Sequence, residues 1–160
     1  GDSEALAKFK ILQVERGGQA TLHNPGQLIV FPVFDIRAIG TRNWVDLLLK
    51  VSEKSLRYFG AEARCCRGSP GLYTEKGKIA SVGLRIKEGI STHGVAINVI
   101  NRLEDFAAIR TCGISRAPVD RLGHQTPGAL FEIWMKFFND ELTSPQNLTN
   151  LECSSRDVRL

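Results

Sequence analysis

The stretch GLYTEKGKIASVGLRIKEGISTHGVAINVI, residues 71–100, decides the fold. It contains three short runs typical of β-strands, GLYTE, KIASVGLRI and HGVAINVI, which turn residues at 76–77 and 87–89 separate. The middle run sets apolar residues against polar neighbours from Ile79 to Ile86. This pattern predicts a β-hairpin or meander.

One helix is predicted before this meander in the sequence and a second helix after it. Residues 42–59 place apolar side chains on one face at helical spacing, with Thr41 suited to cap the helix and Gly60 to end it. Residues 127–142 form the second predicted helix, in which Thr126 is the N-cap and Pro127 takes the first helical position. Both are expected to pack on the core.

Shorter elements complete the predicted order. Residues 10–15, KILQVE, read as a strand, and residues 27–34, QLIVFPVF, as a buried strand in which Pro32 marks an edge or a bulge. Residues 63–70 are predicted as a strand end followed by a loop, and residues 103–110 as a short helical turn. The order predicts an α/β sandwich of the α+β type, a mixed or mostly antiparallel sheet flanked by helices, rather than a doubly wound fold.

Composition favours one ordinary domain. The 160 residues are 42% hydrophobic, enough for a core, and residues 143–160 read as a polar tail. No apolar run approaches the ~20 residues that span a bilayer, and the first residues carry no apolar signal region. The net charge of +4 is spread along the chain without a dense Lys/Arg stripe. We therefore expect neither a membrane nor a nucleic acid as partner.

The four cysteines predict a reducing compartment. Cys65, Cys66, Cys112 and Cys153 form no CxxC pair and no zinc-site spacing. Reduced thiols and a cytoplasmic location are the simple interpretation. We expect no metal and no dissociable cofactor.

Two residues could supply nucleophilic chemistry. Cys112 precedes Gly113, which lets the backbone approach a ligand closely, and Lys78 opens a strand directly after a tight turn. A lysine beside a thiol favours the reactive thiolate. A buried structural cysteine and a solvated surface lysine are the alternatives, and the sequence alone does not bring the two together.

Glycine-bearing turns accompany two of the three histidines. The run RGGQATLH, residues 16–23, exposes backbone N–H groups beside His23, and His93 precedes Gly94 at a strand entrance. A common hairpin turn and structural histidines are the alternatives. A zinc site from His23, His93 and Cys112 is conceivable, but no close ligand pair supports it.

Four segments resemble the motifs of the octanoyltransferases of lipoate biosynthesis. Residues 16–27, RGGQATLHNPGQ, resemble RGGxxTxHGPGQ; residues 78–85, KIASVGLR, resemble the lysine motif; residues 91–98, STHGVAIN, resemble the HGLALN motif; and residues 111–114, TCGI, resemble the cysteine motif PCG. They occur in the family's order over roughly residues 12–140. The resemblance implies the catalytic fold shared with biotin and lipoate protein ligases. Family members carry a longer segment before the first motif, so the N-terminal part of the family domain is expected to be missing from residues 1–160.

The resemblance also implies a mechanism. Cys112, held as thiolate by Lys78, would attack the thioester of octanoyl-acyl carrier protein, and a lysine amine would then take the octanoyl or lipoyl group from the enzyme. The acceptors would be lipoyl domains of 2-oxoacid dehydrogenases and the glycine cleavage H protein.

By the family's pattern, an acyl pocket would be lined by small and glycine-rich segments. Small residues there leave room for a straight alkyl chain. The implied substrate-binding residues are Arg16, Gly17, Gly18, Gln19, Ala20, Thr21, Leu22, His23, Ser81, Val82, Gly83, His93, Gly94, Val95 and Ala96.

Two other functions stay open at this point. The chain could be a non-catalytic module that binds acyl carrier protein or lipoyl domains, although such a module does not need both Lys78 and Cys112. It could also be an ATP-dependent lipoate ligase of the same fold, which an ATP requirement would reveal.

Overall fold

One sheet organises the molecule. The computed structural model describes residues 7–18, 20–66, 69–111, 114–115 and 118–143. The strand order is β1-β6-β5-β4-β3, and β2 also pairs with β6. Every pair between these strands is antiparallel. The strands are β1 (Gln27–Val30), β2 (Phe34–Asp35), β3 (Arg64–Cys66), β4 (Ser69–Thr74), β5 (Gly77–Lys87) and β6 (Ile90–Asn98).

The predicted meander is confirmed as the centre of this sheet. Strands β4, β5 and β6 follow one another in sequence and lie side by side. β5 and β6 stay in register from Ala80↔Ile97 to Lys87↔Ile90, across the turn at Glu88 and Gly89.

Two α-helices of the described chain cover one face of the sheet. They are α1 (Thr41–Tyr58) and α2 (Pro127–Thr143), and they pack on each other as well as on the strands. Thr126 caps α2 as predicted, since its Oγ1 accepts a hydrogen bond from the Ala129 N–H at 3.2 Å. The prediction of Thr41 as cap of α1 is wrong: Gly40, at φ 81°, precedes the helix, and its carbonyl accepts from Trp44.

The core lies between the helices and this face of the sheet. Trp44 and Trp134 are both fully buried. Their indole N–H groups donate to Ser91 Oγ at 2.9 Å and Ser52 Oγ at 3.0 Å, so neither buried donor is left unsatisfied. The rest of the core is mostly aliphatic and includes Leu28, Val30, Leu47, Leu48, Ile79, Val95, Ile97 and Leu130.

Pro32 interrupts the strand predicted over residues 27–34. β1 and β2 both pair with β6 but are separated by residues 31–33. At the break, the backbone of Val30 and the ring of Pro32 pack directly on Gly94, whose missing side chain makes room for them. Pro32 was predicted to mark an edge or a bulge, but neither the division into two strands nor the contact with Gly94 was predicted.

Two other expectations fail. Residues 10–15 form no strand, and Ile11 and Leu12 are more than half exposed, because strand formation needs a neighbouring edge and the described residues supply none there. Cys65 is disulfide-bonded, so the prediction of reduced thiols is wrong for Cys65.

The segment between the sheet and α2 carries small elements. A 3-10 helix spans Leu103–Ala108, where a helical turn was predicted, and a two-stranded hairpin follows, formed by β7 (Arg110–Thr111) and β8 (Ile114–Ser115). Within the described ranges, neither helix has the length and apolarity needed to traverse a lipid bilayer. The predicted tail beyond residue 143 lies outside the described residues.

Candidate functional site

A strip of small residues runs along the face of the sheet opposite α1 and α2, which we call the helix-free face. Ser81 pairs with Ala96, and Gly83 pairs with Gly94 on the neighbouring strands. Because side chains alternate along a strand, these residues share one face, whereas Val82 and Val95 point to the helices. Val95 is fully buried there. We call Ser81, Gly83, Gly94 and Ala96 the small-residue strip.

A β-bulge brings Lys78 to the same face. Leu72 pairs with Ala80 and Tyr73 with Lys78, which leaves Ile79 as the extra residue of β5. Ile79 and Ala80 are both buried toward the core, so the side chain of Lys78 turns to the opposite, helix-free face.

Gly71 leaves the space in which Lys78 lies. Gly71 pairs with Ser81, and a Cβ on Gly71 would lie 2.6 Å from Lys78 Cε. Lys78 Nζ is 5.4 Å from the centroid of the Tyr73 ring. The lysine therefore lies along β4, beside the end of the small-residue strip.

The chain that follows the β7–β8 hairpin is fastened to the start of β5. Lys78 N–H donates to Pro118 O at 2.9 Å, and Asp120 N–H donates to Lys78 O at 3.0 Å. Gly77 permits this contact, because a Cβ there would lie 2.7 Å from Val119 N. Backbone hydrogen bonds therefore hold the segment that follows the hairpin against the start of β5.

Cys112, the predicted nucleophile, lies outside the described residues, as does Gln19. In sequence, Cys112 and Gly113 connect Thr111 to Ile114, which pair with each other in the hairpin. The predicted partnership of the Cys112 thiol with Lys78 stays a prediction.

The glycine-rich segment crosses β5 at the far end of the strip. Gly17 N–H donates to Leu84 O at 2.9 Å, and a Cβ on Gly83 would lie 3.1 Å from Arg16 Cδ. Gly83 thus leaves room for the Arg16 side chain. Of the other predicted residues in this segment, Gly18 and Ala20 are exposed, Thr21 is half-buried and Leu22 is buried.

The two predicted histidines flank an aromatic ring that sequence reasoning missed. The ring centroid of Phe31 is 6.3 Å from that of His23 and 5.3 Å from that of His93. Phe31 is 48% exposed. His93 has a positive φ of 61°, and its buried Nδ1 has no hydrogen-bond partner among the described residues. Nowhere in the described ranges do three His, Cys, Asp or Glu side chains group as metal ligands would.

A buried amide network was also missed. His23 Nδ1 lies 2.7 Å from Gln27 Oε1, Gln27 Nε2 donates to Asn98 Oδ1 at 2.9 Å, and Asn98 Nδ2 donates to Asp120 O at 3.0 Å. The sequence contained one signal for this network: Gln27 is the last residue of the motif at 16–27, and Asn98 is the last residue of the motif at 91–98. The two residues pair directly across β1 and β6.

The fold is that of the lipoate and biotin protein ligases. It is similar to a crystal structure of lipoate-protein ligase A bound with ATP, with a TM-score of 0.72 and 17% identity, covering 88% of this chain and 63% of that one. It is also similar to the biotin protein ligase from Aquifex aeolicus in complex with biotin and ATP, with a TM-score of 0.58 and 13% identity, covering 91% and 65%. The predicted fold class is confirmed.

Sequence comparison identifies the family to which the chain belongs among the proteins that share this fold. Residues 3–142 match the model of the lipoyl protein ligase A/B catalytic domain, and the chain belongs to this family. It is 38% identical over 126 residues to an octanoyltransferase of Legionella pneumophila (strain Corby), covering 78% of this chain. The chain spans 63% of the length of that relative.

Proposed function

We propose that this chain carries the catalytic domain of an octanoyltransferase, which moves an octanoyl or lipoyl group from acyl carrier protein to a lysine of a lipoyl domain. One observation carries the proposal: the bulge at Ile79 puts Lys78 on the helix-free face, next to the small-residue strip. The segment that follows the β7–β8 hairpin is hydrogen-bonded to the backbone of Lys78.

The first half-reaction needs a thiolate. The ammonium of Lys78 favours the charged form of a nearby thiol, and the thiolate of Cys112 attacks the donor thioester carbonyl. A C–S bond to Cys112 forms, and the donor's C–S bond breaks. The carrier thiolate leaves and takes up a proton. An octanoyl thioester remains on the enzyme, with its alkyl chain on the helix-free face beside the small-residue strip.

The second half-reaction needs a neutral amine. The acceptor lysine loses a proton and attacks the enzyme thioester, so that a C–N bond forms and Cys112 leaves as thiolate. Stabilisation of the developing oxyanion by backbone N–H groups is the general requirement of such steps. No nucleotide takes part, because the thioester already carries the activated acyl group.

The proposed partners fit the charge of the chain. Its net charge of +4 would favour association with acidic proteins such as acyl carrier protein and lipoyl domains. The 2-oxoacid dehydrogenases and the glycine cleavage H protein supply such domains, and the proposed compartment is the cytoplasm.

A lipoate ligase is the alternative that the fold keeps open, since the similar structures include one bound with ATP. Identity of 38% to an octanoyltransferase against 17% to that ligase favours the transferase. A pure binding module is disfavoured by the presence of both Lys78 and Cys112.

Transfer assays separate these functions. The chain is mixed with an apo lipoyl domain and either octanoyl-acyl carrier protein without ATP or free octanoate with ATP. We expect octanoylation only with the carrier thioester. Octanoylation only with octanoate and ATP would establish a ligase, and binding of the lipoyl domain without transfer in either mixture would establish a binding module.

A further inference from the structure

Asn98 occupies the centre of the buried amide network, and every hydrogen-bonding position of its side chain is used. Nδ2 donates to Asp120 O at 3.0 Å and, over a longer 3.4 Å, to Lys78 O. Oδ1 accepts from Gln27 Nε2 at 2.9 Å and from Asn101 Nδ2 at 3.1 Å. Asn98 is 5% exposed, so water does not compete for these contacts.

Backbone groups on two sides of this amide fix its orientation independently. The carbonyls of Lys78 and Asp120 can only accept, so the end of Asn98 that faces them must be its NH2 group. From the other side, the Val99 N–H can only donate and points at Asn101 Oδ1 at 3.1 Å. Asn101 must therefore present its NH2 group to Asn98, and the atom that it meets must be Oδ1.

The orientation propagates to His23. Because Asn98 Oδ1 is an acceptor, Gln27 must present its NH2 group to it, which leaves Gln27 Oε1 facing His23 Nδ1 at 2.7 Å. A carbonyl oxygen does not donate, so Nδ1 must carry the hydrogen. Among the described residues, His23 Nε2 has no hydrogen-bond partner, and the residue is exposed.

We propose that Gln27 and Asn98 are positioning residues that hold neutral His23 as the Nδ1–H tautomer, so that Nε2 receives a proton from the amine of the acceptor substrate. The chemical role rests on the proposed function, whereas the tautomer does not. The same Asn98 bonds the carbonyls of Lys78 and Asp120, and the network therefore ties His23 to the strand of the catalytic lysine.

The proposed step balances. The acceptor lysine arrives as an ammonium group, and one of its protons passes to His23 Nε2, which becomes imidazolium. The neutral amine then forms its C–N bond to the octanoyl carbon while the C–S bond to Cys112 breaks. His23 Nδ1–H stays bonded to Gln27 Oε1 in both protonation states, so the ring does not need to turn during the transfer.

Nitrogen-detected NMR tests the tautomer directly. The chain has only three histidines, so the uniformly 15N-labelled protein gives three imidazole patterns, and His23→Gln assigns one of them by its loss. The spectrum is recorded at about pH 8.5, two units above the ordinary imidazole pKa of about 6.5. We expect a protonated Nδ1 and an unprotonated Nε2 for His23. An Nε2–H pattern would overturn the proposal.

Two variants of Gln27 form a matched pair. Gln27→Glu keeps an oxygen for the His23 Nδ1–H but loses the NH2 group that donates to Asn98 Oδ1, so it tests the contact with His23 separately from the link to Asn98. We expect Gln27→Glu to keep the Nδ1–H tautomer, whereas Gln27→Met removes the acceptor and should leave the tautomer unfixed. For Gln27→Met we expect acyl transfer from the enzyme to the amine to slow at least tenfold, with formation of the acyl-enzyme changed less than twofold. An unchanged tautomer in Gln27→Met, or equal slowing of both half-reactions, would contradict the assignment. Backbone amide spectra of both variants verify that the fold is intact.

Discussion

Gly94 has no side chain, and this absence allows the chain at Val30 and Pro32 to pack against it. A Cβ at this position would lie 2.8 Å from Pro32 Cδ and would overlap the Val30 carbonyl. Since backbone atoms cannot yield cheaply, we expect Gly94→Ala to lower the free energy of unfolding by about 1–3 kcal/mol. Denaturant titration measures it.

Gly128, in the first turn of α2, is the matched control for this substitution. A Cβ there has its nearest neighbour, Thr126 Oγ1, at 3.9 Å. Gly128→Ala should therefore be neutral or stabilise by up to about 1 kcal/mol. Equal losses in the two variants would show that the close approach of Pro32 to Gly94 contributes nothing.

The position of Lys78 could be predicted from the sequence, but the direction of its side chain could not. The sequence places it at the start of a strand after a turn, and this is confirmed. Its direction could not be predicted, because the bulge at Ile79 depends on how β4 pairs with β5, and one residue of slip would send the side chain into the core. The amide network could not be predicted for the same reason, since Gln27 and Asn98 are brought together only by the pairing of β1 with β6.

The two helices of the described chain are joined by an ion pair at their packed faces. Glu141 of α2 is 1% exposed and accepts hydrogen bonds from Lys50 Nζ, at 3.1 Å, and from Lys54 Nζ of α1. Burial opposes the charged carboxylate, but the hydrogen bonds from Lys54 and Lys50 outweigh it. The pKa of Glu141 therefore lies below its usual value.

This pairing makes helix packing sensitive to acid. A carboxyl whose pKa is lowered in the folded state stabilises the protein at pH values above its unfolded pKa, and the effect is lost as pH falls through the folded pKa. We expect Glu141→Gln to lower the free energy of unfolding at pH 7 by about 1–3 kcal/mol. The difference from the parent should shrink below about pH 4. Denaturant titrations across pH measure both quantities.

Asp140 provides the comparison on the same helix. It pairs with Lys136 at 3.7 Å, but both side chains are largely exposed. Asp140→Asn should change the free energy of unfolding by less than about 0.5 kcal/mol at every pH. A pH-independent loss in Glu141→Gln would mean that packing, rather than charge, accounts for the effect.

Element-level prediction succeeded where the local pattern decides. The helical spacing of apolar residues gave α1 and α2 within a residue or two, and the alternation across residues 71–100 gave the meander. It failed at residues 10–15, whose strand-like composition has no neighbouring edge in the described chain. Periodicity reports which side chains could be buried together, but not whether a partner strand is present.

At the scale of the whole molecule, the residues that form the core and those of the proposed active site lie on opposite faces of the sheet. One face holds both tryptophans and the largely aliphatic core beneath α1 and α2, whereas the helix-free face holds the small-residue strip and Lys78. Substitutions on the helix side should therefore act through stability. On the helix-free face, substitutions other than at Gly94, where the chain at Val30 and Pro32 packs, should act on acyl transfer in a folded protein.

The central claim is that Cys112 carries the acyl group, and an intact mass spectrum tests it most directly. Reduced protein is mixed with octanoyl-acyl carrier protein without ATP, beside Cys112→Ser, Lys78→Ala and, as thiol control, Cys66→Ser. We predict one octanoyl group that hydroxylamine releases, retained in Cys66→Ser, lost in Cys112→Ser and formed more slowly in Lys78→Ala. Folded protein without an adduct, or an adduct that persists in Cys112→Ser, would contradict the account.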